Sequence, residues 1–278
     1  MEDLEQSILK AVSYVKSFIS FRPDIAIVLG GELGSLAYEV QNPIEVPFED
    51  IPYFQTSESL GRGGKLIFGK IYNKNVVVMQ GGLHYFEGYS MQEITFPIRI
   101  FAFLGVEALI ITNSAGGINP KFKPGDIALI TDHINLVFDS PLKGPNSSLL
   151  GARFPSMKNC YSPKLIEIAK KVSQEIGFSV QEGVYAYMPG PQYETDAEIK
   201  MLNTLGASIV GMSMVPEVIV ATQSGMNVLG ISCITHVADV YGEPTSHNEV
   251  LDVASSTEEK FKALVMDTIN KIEIETEG

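Results

Sequence analysis

Five short apolar runs in this 278-residue chain end in residues that can hold a ligand or act on one. Ile25–Leu29 runs into Gly30-Gly31-Glu32-Leu33-Gly34, and Asn75–Gln80 into Gly81-Gly82-Leu83-His84. Ala108–Thr112 runs into Asn113-Ser114-Ala115-Gly116-Gly117, and the runs near Ser208 and Val228 end in Gly211-Met212-Ser213 and Ile234-Thr235-His236. Glycine lets backbone amides approach a ligand closely, and amides at a helix start attract anions. Taken singly, a glycine after a strand is more often a plain turn. Several such ends meeting in one place would form a pocket for a small phosphate-bearing or polyol ligand.

The intervening periodicity says what must position them. Leu4, Ile8, Ala11, Val12, Val15 and Ile19 recur at helical spacing. Strands are expected at 25–29, 65–71, 75–80, 108–112, 126–131, 184–188, 208–212 and 228–234, with 65–71 and 75–80 as a hairpin or consecutive strands. Further helices are expected at 91–104, 163–175, 197–205, 215–224 and 246–272. Short apolar strands alternating with helices indicate an α/β domain, in which ligands bind beyond the carboxyl ends of the strands. The reading is one domain over 1–278, with a mixed, largely parallel central sheet flanked by helices. The stretch 136–157 is long for a loop and is expected to be functional or interface-forming.

Composition excludes several classes. The formal net charge of −13 opposes binding to nucleic acid or an anionic membrane surface. Local donors can still bind a small anion. Cys160 and Cys233 lack metal or disulfide spacing and read as structural. No metal is expected. The acidic start, without a basic segment and apolar run, and the absence of a long apolar stretch point to the cytoplasm.

The segments LGGELG, MQGGLHYFEGY, ITNSAGGINPKFKPGDIALITDHIN, PLKGPN, ARFPSM, PGPQYET, VGMSMVPEVIVA and LGISCIT carry a resemblance. Their order and spacing, from about Pro23 to His247, resemble the trimeric purine nucleoside phosphorylases, which share a fold with methylthioadenosine phosphorylases. The resemblance implies a homotrimer that reversibly phosphorolyses a purine (deoxy)ribonucleoside to free base and pentose 1-phosphate. It implies inorganic phosphate as co-substrate and no cofactor. It places Glu194 on the purine ring NH, Tyr193 against the base, Met212 under the sugar and His247 near the sugar 5′-hydroxyl. Ser213, His84 and the backbone NH of Ser114 fall on phosphate, and Phe154 reaches a neighbouring subunit's site. Each has a plainer competitor: Glu194 at a helix start, Tyr193 and Met212 as core fillers, the histidines as satisfied side chains. His133 reads as framework.

The chain departs from the family pattern in the phosphate pocket and beside the base. Gly31 stands where a phosphate-binding serine is usual, with Glu32 one residue later. Gly82 stands where an arginine is usual, and an arginine–phosphate contact is worth roughly 1.5–3 kcal/mol. Arg62, in a glycine loop where the family has a histidine, is the expected replacement guanidinium; its competitors are a solvated arginine or one paired with Glu32. His236 replaces an asparagine that contacts the purine, and reads as a hydrogen-bonding group or a general acid toward the base. Phe86 replaces a tyrosine near the sugar. Two other activities compete with phosphorolysis: phosphate-independent hydrolysis using Glu32, and nucleoside binding without turnover.

Overall fold

The computed structural model describes residues 4–30, 34–57, 63–238 and 246–274; for His247 only the backbone is described. In chain order the elements are α1 (Leu4–Lys16), β1 (Ile25–Leu29), β2 (Gln41–Pro47), β3 (Lys65–Ile71), β4 (Lys74–Gln80), α2 (Met91–Leu104) and β5 (Ala108–Gly117). They continue as β6 (Ile127–Asn135), α3 (Pro163–Ile176), β7 (Gln181–Tyr187), α4 (Asp196–Thr204), β8 (Ile209–Gly211), α5 (Val215–Gln223), β9 (Asn227–Val237) and α6 (His247–Lys271).

The strands form one sheet in the order β2-β3-β4-β1-β5-β8-β7-β6-β9, and β9 returns to pair with β5. The second half therefore closes on itself as a five-stranded ring. Five of the pairings are parallel, β1–β4, β1–β5, β5–β9, β6–β7 and β7–β8. The other four are antiparallel, including the expected hairpin β3–β4. The sheet is thus mixed, with parallel pairs only just in the majority. β1 is buried along its whole length, as its unbroken Ile-Ala-Ile-Val-Leu sequence requires of a strand covered on both faces. α2 packs between α1 and α5, and α3 packs on α6.

Helix ends follow local chemistry. Ser90 and Glu93 form a reciprocal cap on α2, and Thr195 and Glu198 do the same on α4. Ser162 caps α3 ahead of Pro163, and left-handed Gly105 and Gly177 end α2 and α3.

Several expected boundaries move. β5 continues five residues beyond Thr112, through Asn113–Gly117, because β9 runs beside it throughout. β6 and β9 are likewise longer than expected. β2 has no counterpart in the sequence reading: Pro43 and Pro47 argue against a strand but are tolerated at a sheet edge, which is where β2 lies.

The stretch 136–157 is not free chain. Buried Arg99 on α2 donates to Leu150 O at 2.9 Å and to Gln223 Oε1 at 2.6 Å. Gln223 Nε2 donates in turn to Ala152 O at 2.8 Å. Burial lowers the Arg99 guanidinium to about 10, so it stays charged at neutral pH. One cation thus ties α2, α5 and the long loop together. Arg99→Leu should lower the unfolding free energy by about 2–3 kcal/mol, since it strands two buried acceptors. Urea denaturation checks this, and an unchanged midpoint would contradict it.

Candidate functional site

β5 positions the site by what it pairs with. Its ladder to β1 ends at Ile111, and its ladder to β8 begins at Gly116. Between them, among the described residues, one edge of β5 has no strand neighbour. Thr112 bridges the parting: its Oγ1 donates to Val28 O at 3.0 Å and accepts from Gly30 N at 3.2 Å. A cleft of about 210 Å³ opens at this divergence, a crevice of the kind expected where strand order switches.

Eight residues singled out in the sequence line that cleft: His84, Phe86, Ser114, Tyr193, Glu194, Met212, Ser213 and His236. Gly31, Glu32 and Arg62 lie outside the described residues, as does the side chain of His247. Phe154 does not line the cleft; it projects from the long loop, 89% exposed, with Arg153 5.6 Å from its ring centroid. The expectation for Ser114 needs revising in its cause. Ser114 lies within β5, not in a glycine loop, and lines the cleft where the strand's edge is open.

Asn113, a buried amide between Thr112 and Ser114 of β5, also lines the cleft. Its Nδ2 donates to Tyr185 Oη at 3.0 Å and Ser213 Oγ at 3.2 Å, and its Oδ1 accepts from Ser232 Oγ at 2.6 Å. The Ser213 amide lies 3.4 Å from the same Tyr185 oxygen. Gly211 is required for this: a Cβ there would come within 2.1 Å of Tyr185 Oη. Met214, at φ 63°, turns the chain sharply between β8 and α5 and fixes Ser213 at the cleft. Asn113 and Tyr185 carry no role in the sequence reading. In the sequence Asn113 directly follows the apolar run Ala108–Thr112, beyond the expected end of the strand.

On one wall, His84 stacks on Phe86 with centroids 4.9 Å apart. Glu87 accepts from the His84 amide at 2.8 Å and lies 3.3 Å from its Nδ1, so the imidazole is oriented by a carboxylate. Ser57 Oγ donates to the other Glu87 oxygen. Glu194, also in the lining, stands just before the α4 cap. Glu198 takes the capping role, which leaves the Glu194 carboxyl to the cleft. Burial is the main force raising the Glu194 carboxyl above the ordinary range; its own amide opposes this, and Glu198 adds to it. Tyr193 meets His236 edge to face, with centroids at 5.4 Å and planes at 76°. Burial holds the His236 imidazole below its ordinary value.

No lysine or arginine lines the cleft among the described residues. Nor, among them, do three or more His, Cys, Asp or Glu side chains gather as a metal cage. His133 lies apart, 3.2 Å from Tyr161 Oη. Cys160 and Cys233 are free and buried, and burial pushes both thiols up to about 11.

The chain is similar to known proteins over nearly its full length. Residues 24–270 match the model of the phosphorylase superfamily. Purine nucleoside phosphorylase 1 of Geobacillus stearothermophilus is 48% identical over 92% of this chain and 93% of its own length. Purine nucleoside phosphorylase 1 of Bacillus subtilis is 45% identical over 94% of this chain and 97% of its own. The crystal structure of Schistosoma mansoni purine nucleoside phosphorylase in complex with inosine superposes with a TM-score of 0.93 at 37% identity, covering 97% of this chain and 98% of the other. A cleft at the parting of β1, β5 and β8, a matching family model and relatives of nearly equal length together place this chain in the phosphorylase superfamily.

Proposed function

We infer that this chain is a purine nucleoside phosphorylase, which transfers the pentose of a purine (deoxy)ribonucleoside reversibly to inorganic phosphate. The observation that carries the reading is a cleft whose lining joins Tyr193, Glu194 and His236 with His84, Ser114 and Ser213.

Cleaving the glycosidic bond develops positive charge on the sugar and negative charge on the departing purine. Glu194, as carboxylate, accepts an N–H from the purine and fixes the ring beside Tyr193. Met212 packs under the sugar, with Phe86 and the His247 side chain bordering it. Ser213, whose Oγ accepts from Asn113, has its hydroxyl proton available for a phosphate oxygen. His84, oriented by Glu87, and the Ser114 amide at the open strand edge add further donors. Gly31 adds a further amide, and Arg62 supplies the guanidinium that Gly82 cannot. Held in line with the sugar carbon, phosphate attacks as the base leaves. No cofactor or metal takes part.

We assign the assembly as a homotrimer in which exposed Phe154 covers the sugar of a neighbouring copy, and the compartment as cytoplasm. Neither nucleic acid nor membrane is a partner; no helix among the described residues is long and apolar enough to span a bilayer.

Three outcomes test this reading. Base release from a panel of inosine, guanosine, adenosine and methylthioadenosine should require phosphate and yield a pentose 1-phosphate. Free ribose released without phosphate would instead make the chain a hydrolase. Because the Glu194 carboxyl is raised and must be ionised to accept an N–H, kcat/KM should fall as pH drops through that raised value. Glu194→Ala should lose about 100-fold in kcat/KM and the acid limb with it; a mutant that keeps the wild-type profile contradicts the role. Sedimentation should give three copies, and Phe154→Ala should raise the nucleoside KM several-fold with its oligomeric state retained. An unchanged KM removes Phe154 from the site.

A further inference from the structure

We propose that Gln223, itself oriented by the buried Arg99, is a positioning residue that holds the exposed Phe154 ring in place for a nucleoside bound in a neighbouring copy. The proposal rests on the assignment of Phe154 to a neighbouring copy's site.

The Phe154 ring is 89% exposed, yet the chain leading to it is tied down. Ala152 O accepts from Gln223 Nε2 at 2.8 Å, and Arg153 Nη1 donates to Leu142 O at 2.9 Å. Further back, Leu150 O accepts from Arg99 Nη1 at 2.9 Å. Asn146 crosses the segment, its Nδ2 3.3 Å from Gly151 O and its Oδ1 3.3 Å from Gln223 Nε2. Water offers an apolar ring nothing, and this subunit does not bury it. A ring left outside on a restrained backbone suits contact with another molecule.

Gln223 is the joint of this network. It is buried at the last residue of α5, and both ends of its amide are in use. Oε1 accepts from Arg99 Nη2 at 2.6 Å, while Nε2 serves Ala152 and Asn146. Exchanging the two ends would set an NH2 against a guanidinium and an oxygen against a carbonyl. The guanidinium, a donor only, therefore fixes which way the amide faces. Through it α2 and α5 set the place of Ala152, close before Phe154 in the chain.

Gly151 lets the segment come this near. Its φ is 113°, and a Cβ there would stand 2.4 Å from Gln223 O. The loop thus meets the end of α5 through backbone as well as side chain. A loop ordered before binding does not have to be ordered by the nucleoside, so its restraint appears as affinity. Phe154 touches no reacting atom in this reading. Loss of its placement should therefore show in the nucleoside KM and not in kcat or in the phosphate KM.

The test uses Gln223→Glu, which keeps an acceptor for Arg99 but removes the donor to Ala152 and Asn146. Gly151→Ala displaces the same segment without touching the buried cation. KM for the best nucleoside of the panel is measured in both, in Phe154→Ala, and in Gln223→Glu combined with Phe154→Ala. Each of the first two should raise the nucleoside KM by about fivefold, with kcat and phosphate KM unchanged and the trimer retained in sedimentation. The double variant should match Phe154→Ala alone, because the joint acts only through the ring. A nucleoside KM that stays at the wild-type value in Gln223→Glu and Gly151→Ala, while Phe154→Ala raises it, overturns the positioning role and leaves Phe154 in the site. Effects that multiply in the double variant overturn it too, as does a Gln223→Glu protein that falls apart into single copies. An unchanged KM in Phe154→Ala removes the cross-subunit reading, and this proposal with it.

Discussion

Strand β5 stays hydrogen-bonded to β9 over its whole length while its other edge changes partner from β1 to β8. Every other feature of the cleft follows from that exchange. The β5–β9 pairing closes the ring with β8, β7 and β6, and the unpaired interval between β1 and β8 is where the protein opens. A strand with one edge secured and the other bare exposes amides and short side chains without becoming a loop. That differs from a glycine-rich turn, in which backbone freedom has to be suppressed before ligand binding. In β5 the ladder to β9 has already restricted it.

The polar floor depends on the same interval. Asn113 lies inside it and is bound on three sides, by Tyr185, Ser213 and Ser232. Each partner comes from a different strand or strand end, β7, the β8–α5 turn and β9. A fully satisfied buried network of this kind is rigid, because moving any member strands the others in an apolar setting. Ser213 is thereby held at the cleft by a strand it does not belong to. Glycines 116 and 211 serve the same end, each yielding the volume of a side chain to a ring, His236 in one case and Tyr185 in the other.

The sequence made the strand ends and their convergence legible, because apolar runs ending in glycine mark both the strands and the places where a ligand can approach. It also marked Tyr193, Glu194 and His236, which line the cleft. What it hid is tertiary. β2 reads as loop because its prolines forbid a central strand, and only its edge position admits them. β5 reads as ending at Thr112 because Asn-Ser-Ala-Gly-Gly has poor strand propensity, which pairing with β9 overrides. Asn113 and Tyr185 matter through contacts 72 residues apart in sequence, and no local pattern encodes such a pairing. The contact of Thr235 with His236 is local, but the same hydroxyl also reaches the Ala115 carbonyl 120 residues away.

The chain's charge bears on how such a cleft handles phosphate. A net charge of −13 repels an anion at long range, but that field is screened within about 10 Å at physiological salt. At contact the donors decide, and those described around the cleft include hydroxyls, an imidazole and amides. Neutral donors in a confined cleft hold a dianion less tightly than a guanidinium does in the ground state. The developing positive charge on the sugar and the negative phosphate attract each other most at the transition state. Phosphate held in line with the sugar therefore contributes most at the step that breaks the glycosidic bond.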